Sequence, residues 1–522
     1  MSIRLDGFCL SGNARRASLA ALALSPLLVL LSGALRNQQS DHLLNAFIST
    51  DHLTWFYWGQ SRYGSIHSFL AFPIQNIRLN LLFILHLRAA SLVFLVVWIV
   101  ESCARVNVKT GKASLQYILA FTFIVIFLIT FPEAGDALIY GANAHPIAVP
   151  FAILALSFEI NKHKSKNPVL KSIAMTLWVI AFWGIAIWTS IFTALWAPAF
   201  VLLQFAYISK NEKVFQRKYL VWLSLHVLVV SIWSLIFSKI AKSGGENTSF
   251  VSGKFLSEAL KRNYVSVPLV VYLLSAIIAT VFVVFIGRSW SNIFALLSTV
   301  FFVGSVPVIA ASAHVQNYSY MPRYFGVAYI SALLVLFVLL GSCIRVTKIQ
   351  VVARSINNHS SSLIFSVAIV FALALTANAM SEVKFGTGKI DASGFVGTGY
   401  GFSSEQGREI SAYLDTDFKF VAGSYWYVWP IVFDLRSRNN EAVAITKRAT
   451  FQTKFSTLYS ATPVLGICIG DSIQCRGAIV NAQLDGNRLY FVIDSAIIAH
   501  LSDGTTIRKM WVSKYPIRKL ER

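Results

Sequence analysis

Eleven apolar stretches dominate this chain, each long enough to cross the roughly 30 Å hydrocarbon core of a bilayer. They start near residues 17, 82, 114, 144, 172, 191, 218, 267, 291, 325 and 362. Backbone inside hydrocarbon must satisfy its own hydrogen bonds, so the stretches read as helices. Only 13% of the 522 residues are charged, well below the roughly 25% of soluble domains. The mean hydropathy is +0.62. The expected fold class is therefore an all-α polytopic membrane protein of about eleven transmembrane helices, carrying a small C-terminal α/β domain outside the cytoplasm. Three regions follow: a multi-spanning domain over 1–380, a Gly-rich linker over 381–402 and the α/β domain over 403–522.

A net charge of +22 would suggest nucleic acid in a soluble protein. Here the Lys and Arg sit in short clusters between apolar runs, where they set topology against anionic lipid, and no nucleic-acid partner is expected. With a cytoplasmic N-terminus, inside segments hold eighteen basic residues and the outside loops before the tail hold nine. That asymmetry fits the positive-inside rule, and an odd helix count places the C-terminus outside. The opening MSIRLDGFCLSGNARR leads into an apolar run longer than the roughly 7–15 residues of a signal-peptide core. A first anchor is expected, although Ser32, Gly33 and Ala34 are small enough for cleavage. The segments SIAMTLWVIAFWGIAIWTS and IFTALWAPAFVLLQFAYISK follow each other almost without a loop and read as a tight hairpin.

Beyond residue 381 the apolar runs become too short to span. KFVAGSYWYVWPIVF, VLGICIG, RLYFVIDSAIIA and TIRKMWV read as strands, and SEQGREISAYL as an amphipathic helix. GTGK at 386–389 lacks the spacing of a phosphate-binding loop. No spacing of the five cysteines suggests a metal site. Cys468 and Cys475 lie close enough in sequence for a local disulfide, which an exported domain permits and the sequence leaves open.

Acidic residues are scarce before the tail, and several fall in external loops. Asp41 and Asp51 lie in the first and Glu133 and Asp136 in the second, FPEAGDALIYGANAHP. Carboxylates close to hydrocarbon are costly, so their placement beside membrane-level aromatics points to function. The competing reading makes them caps or solvated loop residues; Asp51, before HLTWFYWGQ, suits an N-cap. Trp55, Tyr57 and Trp58 fit either an interfacial aromatic belt or a substrate surface.

The joint arrangement resembles the C superfamily of membrane glycosyltransferases, which use lipid-phosphate sugar donors. STDHLTWFYWGQSRYGSI is similar to the first-loop region of bacterial members, QNYSYMPRYFG at 316–326 to an Arg-Tyr element before a late helix, and GSYWYVWP to a Tyr-Trp element of the exported domain. The first loop lacks the doubled acid of some branches. The resemblance implies a bacterial inner-membrane enzyme that moves a sugar from a polyprenyl-phosphate donor to an extracytoplasmic glycan, lipid or protein. An acid of the first external loop would act as catalytic base or as partner to a metal, with a second acidic position in the next loop.

The chemistry requires an acceptor hydroxyl to lose its proton on one face of the anomeric carbon while phosphate leaves from the other. Asp51 is the expected base, with Asp41 its neighbour. A guanidinium suits the departing phosphate, so Arg323 is the first candidate and Arg62 the second; Arg323 as a snorkelling anchor is the alternative. Trp55, Tyr57 and Trp58 would offer ring faces to sugar or lipid, with Tyr320 beside Arg323. His145 either bonds a sugar or satisfies a helix end. Three carboxylates can also hold Mg²⁺ or Mn²⁺, and the sequence leaves that open. A polysaccharide polymerase or ligase would place its largest external loop between two late helices, and a transporter or flippase would show paired broken helices. Arg88 is the only charge expected well inside a span.

Overall fold

The computed structural model describes residues 12–31, 40–58, 64–104, 145–157, 168–191, 217–243, 418–437, 441–446, 463–481, 490–500 and 504–517, with parts of 193–202 and a few single residues between 124 and 329. In chain order its elements are α1 (Gly12–Leu31), α2 (Ser40–Thr50), α3 (Ile66–Ala71), α4 (Ile77–Ala104), α5 (His145–Ser157), α6 (Pro168–Thr189), α7 (Arg217–Ser243), β1 (Phe420–Gly423), α8 (Tyr425–Ser437), β2 (Val443–Thr446), β3 (Val464–Ile469), α9 (Ser472–Asn481), β4 (Tyr490–His500) and β5 (Thr506–Ser513). They fall into two compact units.

The first unit is built from apolar helices, α4 belonging to it from His86 onward. Ile77–Trp98, Ser172–Thr189 and Leu220–Ile240 are long and apolar enough to cross a membrane, where the sequence places spans near 82, 172 and 218. Shorter apolar helices, Ser18–Val29 and Pro146–Leu156, match the stretches near 17 and 144. The stretches starting near 114, 267, 291, 325 and 362 lie outside the described residues, single positions aside. The chain is a membrane protein with a C-terminal α/β domain.

Polar side chains in these helices bond locally. Ser91 donates to Leu87 O at 2.8 Å, Thr189 to Ile185 O at 2.7 Å and Ser234 to Val230 O at 2.6 Å. Helix contacts are made by tryptophans whose indole N–H must find an acceptor in an apolar setting. Trp178 reaches Leu154 O at 2.8 Å, Trp233 reaches Ile180 O at 2.9 Å and Trp183 donates to Nδ1 of the buried His226 at 2.8 Å. Arg88 is buried, 1% exposed, as expected of a charge deep in a span. On α7 Leu220, Val221, Val227, Leu228 and Leu235 are exposed, as a lipid-facing stripe would be. α6 ends at Thr189 and the chain turns at Ser190 and Ile191 before helical residues resume at Thr193.

The second unit contains Ser40–Trp58, Ser65–Leu85 and the described tail. Its sheet runs β2-β1-β3-β5-β4. β1 is parallel to β2 and β3, whereas β5 is antiparallel to β3 and β4. Phe420, Ala422, Val443, Ile445, Met510 and Val512 build one core face with Cys475 and Ala478 of α9. The alternate residues Val421 and Ala444 are equally buried, and α8 packs against the same two strands. β1 and β2 are thus covered on both faces, as short parallel strands require. A disulfide joins Cys468 to Cys475 with Cα atoms 5.9 Å apart, tying β3 to α9.

One expected strand is corrected. KFVAGSYWYVWPIVF is a strand only to Gly423; from Tyr425 it is the helix α8. Its aromatic and β-branched residues suit strands, but Gly423 takes a φ of 139°, which ends the extended run. The amides of Tyr427 and Val428 then close onto Ser424 O. Nor does the sequence pattern announce β2 or α9. The remaining three strands lie where expected, at β3, β4 and β5. The helix expected at SEQGREISAYL and the Gly-rich linker lie outside the described residues.

Candidate functional site

α2 and α8 lie side by side and parallel. Their N-terminal ends meet where Ser40 Oγ donates to Tyr425 O at 3.0 Å and Trp426 O at 3.1 Å. Pro430 has no N–H with which to bond the carbonyl four residues back, that of Trp426. The Ser40 hydroxyl supplies the missing donor, so a proline inside α8 is satisfied from α2. In the middle, Phe47 packs edge-on against Trp429 at 4.8 Å and Phe433 at 6.1 Å between ring centres. At the C-terminal ends Arg436 pairs with Asp51.

Both candidate acids of the first loop belong to this helix pair. Asp41 is in the first turn of α2, where a carboxylate complements the positive end of the helix dipole. Its Oδ1 accepts from Tyr425 Oη at 2.6 Å, and its backbone carbonyl accepts from Tyr57 Oη at 2.7 Å. Asp51 is at the opposite end: its amide bonds Phe47 O at 2.8 Å, closing the last turn of α2. A carboxylate at that negative end is disfavoured unless a cation joins it. Arg436 is that cation, with Nη1 on Asp51 Oδ1, Nε donating to Ala442 O at 3.0 Å and the guanidinium 5.3 Å from the Phe47 ring centre. The pair is buried, the Arg436 side chain 8% exposed and that of Asp51 1%. No helix follows Asp51, so its reading as an N-cap is corrected: it ends α2 rather than starting a helix over 52–58.

The three aromatics after it take different environments. Trp55 is 69% exposed, with its ring centre 5.3 Å from that of Phe69. Tyr57 and Trp58 are each 2% exposed. Tyr57 bonds Asp41 O, while Trp58 donates to His52 O at 3.2 Å and faces Trp429 at 6.1 Å. Tyr57 and Trp58 are thus buried in packing, and Trp55 is the exposed ring of the three.

Beneath α2 lies a buried polar layer. Asn45 meets His67 and donates to His42 O at 3.3 Å, Ser68 Oγ donates to Asn45 O at 2.9 Å, and Asn80 donates to Ser49 Oγ at 2.7 Å and Ala71 O at 2.9 Å. These bonds fix α2 against α3 and the start of α4. In the first unit, Gly64 of the RYGS element donates its amide to Trp188 O at 2.8 Å. A Cβ at Gly64 would stand 2.6 Å from that oxygen, so no larger residue fits.

His145 is the first residue of α5. Glu133, Asp136, Arg62, Tyr320 and Arg323 lie outside the described residues. Among the described residues no group of three or more His, Cys, Asp or Glu could hold a metal ion. Tyr425 falls within the GSYWYVWP element, a sequence signal for its contact with Asp41. Arg436 had none, being one basic residue among many in the tail.

No family model and no curated protein matches the chain. Among solved structures it is similar to the crystal structure of ArnT from Cupriavidus metallidurans bound to undecaprenyl phosphate, at 12% identity and a TM-score of 0.46, over 94% of this chain and 97% of that one.

Proposed function

We propose that this chain is an inner-membrane glycosyltransferase that moves a sugar from a polyprenyl-phosphate donor to an acceptor on the extracytoplasmic side. The observation that carries the reading is the engagement of both first-loop acids by one tail helix, Asp41 by Tyr425 and Asp51 by Arg436. Burying two carboxylates costs free energy that lipid anchoring alone would not require, and holding each at a fixed place is what proton transfer needs.

In this reading Asp51 takes the proton of the acceptor hydroxyl, the oxygen bonds to the anomeric carbon, and the bond from that carbon to phosphate breaks. Polyprenyl phosphate leaves, and direct attack inverts the anomeric centre. Asp41 holds the acceptor or shares the base role. Arg323, with Arg62 and Tyr320 near it in role, receives the phosphate; a guanidinium binds two of its oxygens at once. Trp55 lies against sugar or lipid chain, and His145 bonds the sugar. Glu133 and Asp136 are the candidate ligands if the reaction uses Mg²⁺ or Mn²⁺. The acceptor is a surface glycan, a lipid or a protein.

The test is a deletion strain. Its envelope should accumulate an acceptor lighter by one sugar, identified by mass spectrometry, and the full-length chain should restore the mass. An unchanged envelope mass profile, with polyprenyl-phosphate sugar still consumed, overturns the reading.

A further inference from the structure

We propose that Arg436 is a positioning residue of this site: it aims the Asp51 carboxylate, and through it the tail governs turnover. The inference rests on the transferase reading above, in which Asp51 is the base.

Asp51 is at the C-terminal end of α2, where the carbonyl ends of the helix repel a carboxylate. Left alone it would turn away. The guanidinium holds it through one contact, Nη1 on Oδ1, and is itself held by two more: Nε donates to Ala442 O at 3.0 Å, and its central carbon lies over the Phe47 ring, 5.3 Å from the centroid. Ala442 immediately precedes β2, so Arg436 is gripped between the sheet and the helix that bears it. With Oδ1 held by the guanidinium, the orientation of the Asp51 carboxylate is set from the tail. A lysine keeps the charge but has no planar fork, so it cannot hold Asp51, Ala442 O and the Phe47 face together. A tether serving only stability would need the charge but not the fork.

The assay uses full-length protein in membranes of the deletion strain, supplied with lipid and envelope extract of that strain, which contains unconsumed donor and unmodified acceptor. Conversion is followed by mass spectrometry while the extract is diluted, separating turnover from half-saturation. For Arg436→Lys, turnover should fall on the order of a hundredfold, the cost of a displaced reacting group, with half-saturation unchanged and the protein still folded at the assay temperature by thermal unfolding. If Arg436→Lys does not fold, Phe47→Leu carries the test, since it leaves both charges and loosens the guanidinium. Its turnover should fall roughly twofold to fivefold. Wild-type turnover in the folded Lys variant, or in Phe47→Leu where Lys does not fold, overturns the role of Arg436 and leaves the transferase reading standing. No conversion by the wild-type chain overturns the transferase reading, and this inference with it.

Discussion

The hydroxyls of the membrane helices and the carboxylates of the α2–α8 layer are satisfied in opposite ways. In the helices, hydroxyls return to carbonyls four residues back, as Ser91, Thr189 and Ser234 do. In the α2–α8 layer the partners are nearly four hundred residues apart: 384 from Asp41 to Tyr425 and 385 from Asp51 to Arg436. The first arrangement is local and replaceable. The second is non-local, charged and buried, so each member leaves an uncompensated partner when removed. Function is expected where that greater liability has been accepted.

Substitutions in the two regions break or sharpen the contrast, their stability measured by denaturant titration of the full-length protein. Arg436→Met leaves Asp51 buried without its cation and should cost roughly 3–5 kcal/mol. Asp51→Asn strands Arg436 and destabilises the fold whatever chemistry it also removes. The double variant Asp51→Asn with Arg436→Gln should recover most of the stability but no transfer, and recovered transfer would exclude Asp51 as the base. Cys475→Ser opens a cross-link with a sequence separation of 7; loops of such length are worth about 2.5 kcal/mol, and wild-type stability under reducing conditions would refute it. Tyr425→Phe removes a donor to a carboxylate and should cost about 1.5 kcal/mol. Ser234→Ala removes only a bond within its own helix and should change stability by less than about 0.5 kcal/mol. A loss at Ser234 as large as that at Tyr425 would erase the distinction between the two regions.

What the sequence made legible follows the same division. Spans near 82, 172 and 218 were readable because hydrophobicity over some twenty residues is a summed, local signal. β3, β4 and β5 were readable from short apolar runs between turns. α8 was not, because Tyr-Trp-Tyr-Val-Trp suits a strand by propensity and is made helical by the turn at Gly423 and the partner helix α2. Asp41 and Asp51 could be selected as unusual acids, yet their partners could not. A lone arginine at 436 carries no periodicity, and only the fold brings it to the end of α2. Tyr57 and Trp58 failed as an exposed surface for a related reason: an aromatic cluster in sequence does not show which rings face inward.

The separation of 385 residues between Asp51 and Arg436 also sets a timetable for biogenesis. At roughly 5–20 residues per second of synthesis, Asp51 emerges about 20–75 s before the residue that will hold it. Throughout that interval membrane insertion proceeds while the acidic end of α2 has no guanidinium. A nascent or truncated chain can therefore occupy the bilayer with the α2–α8 layer unassembled. The α2–α8 layer forms only after α8 has been made and docks, so a late part of the chain completes an early one.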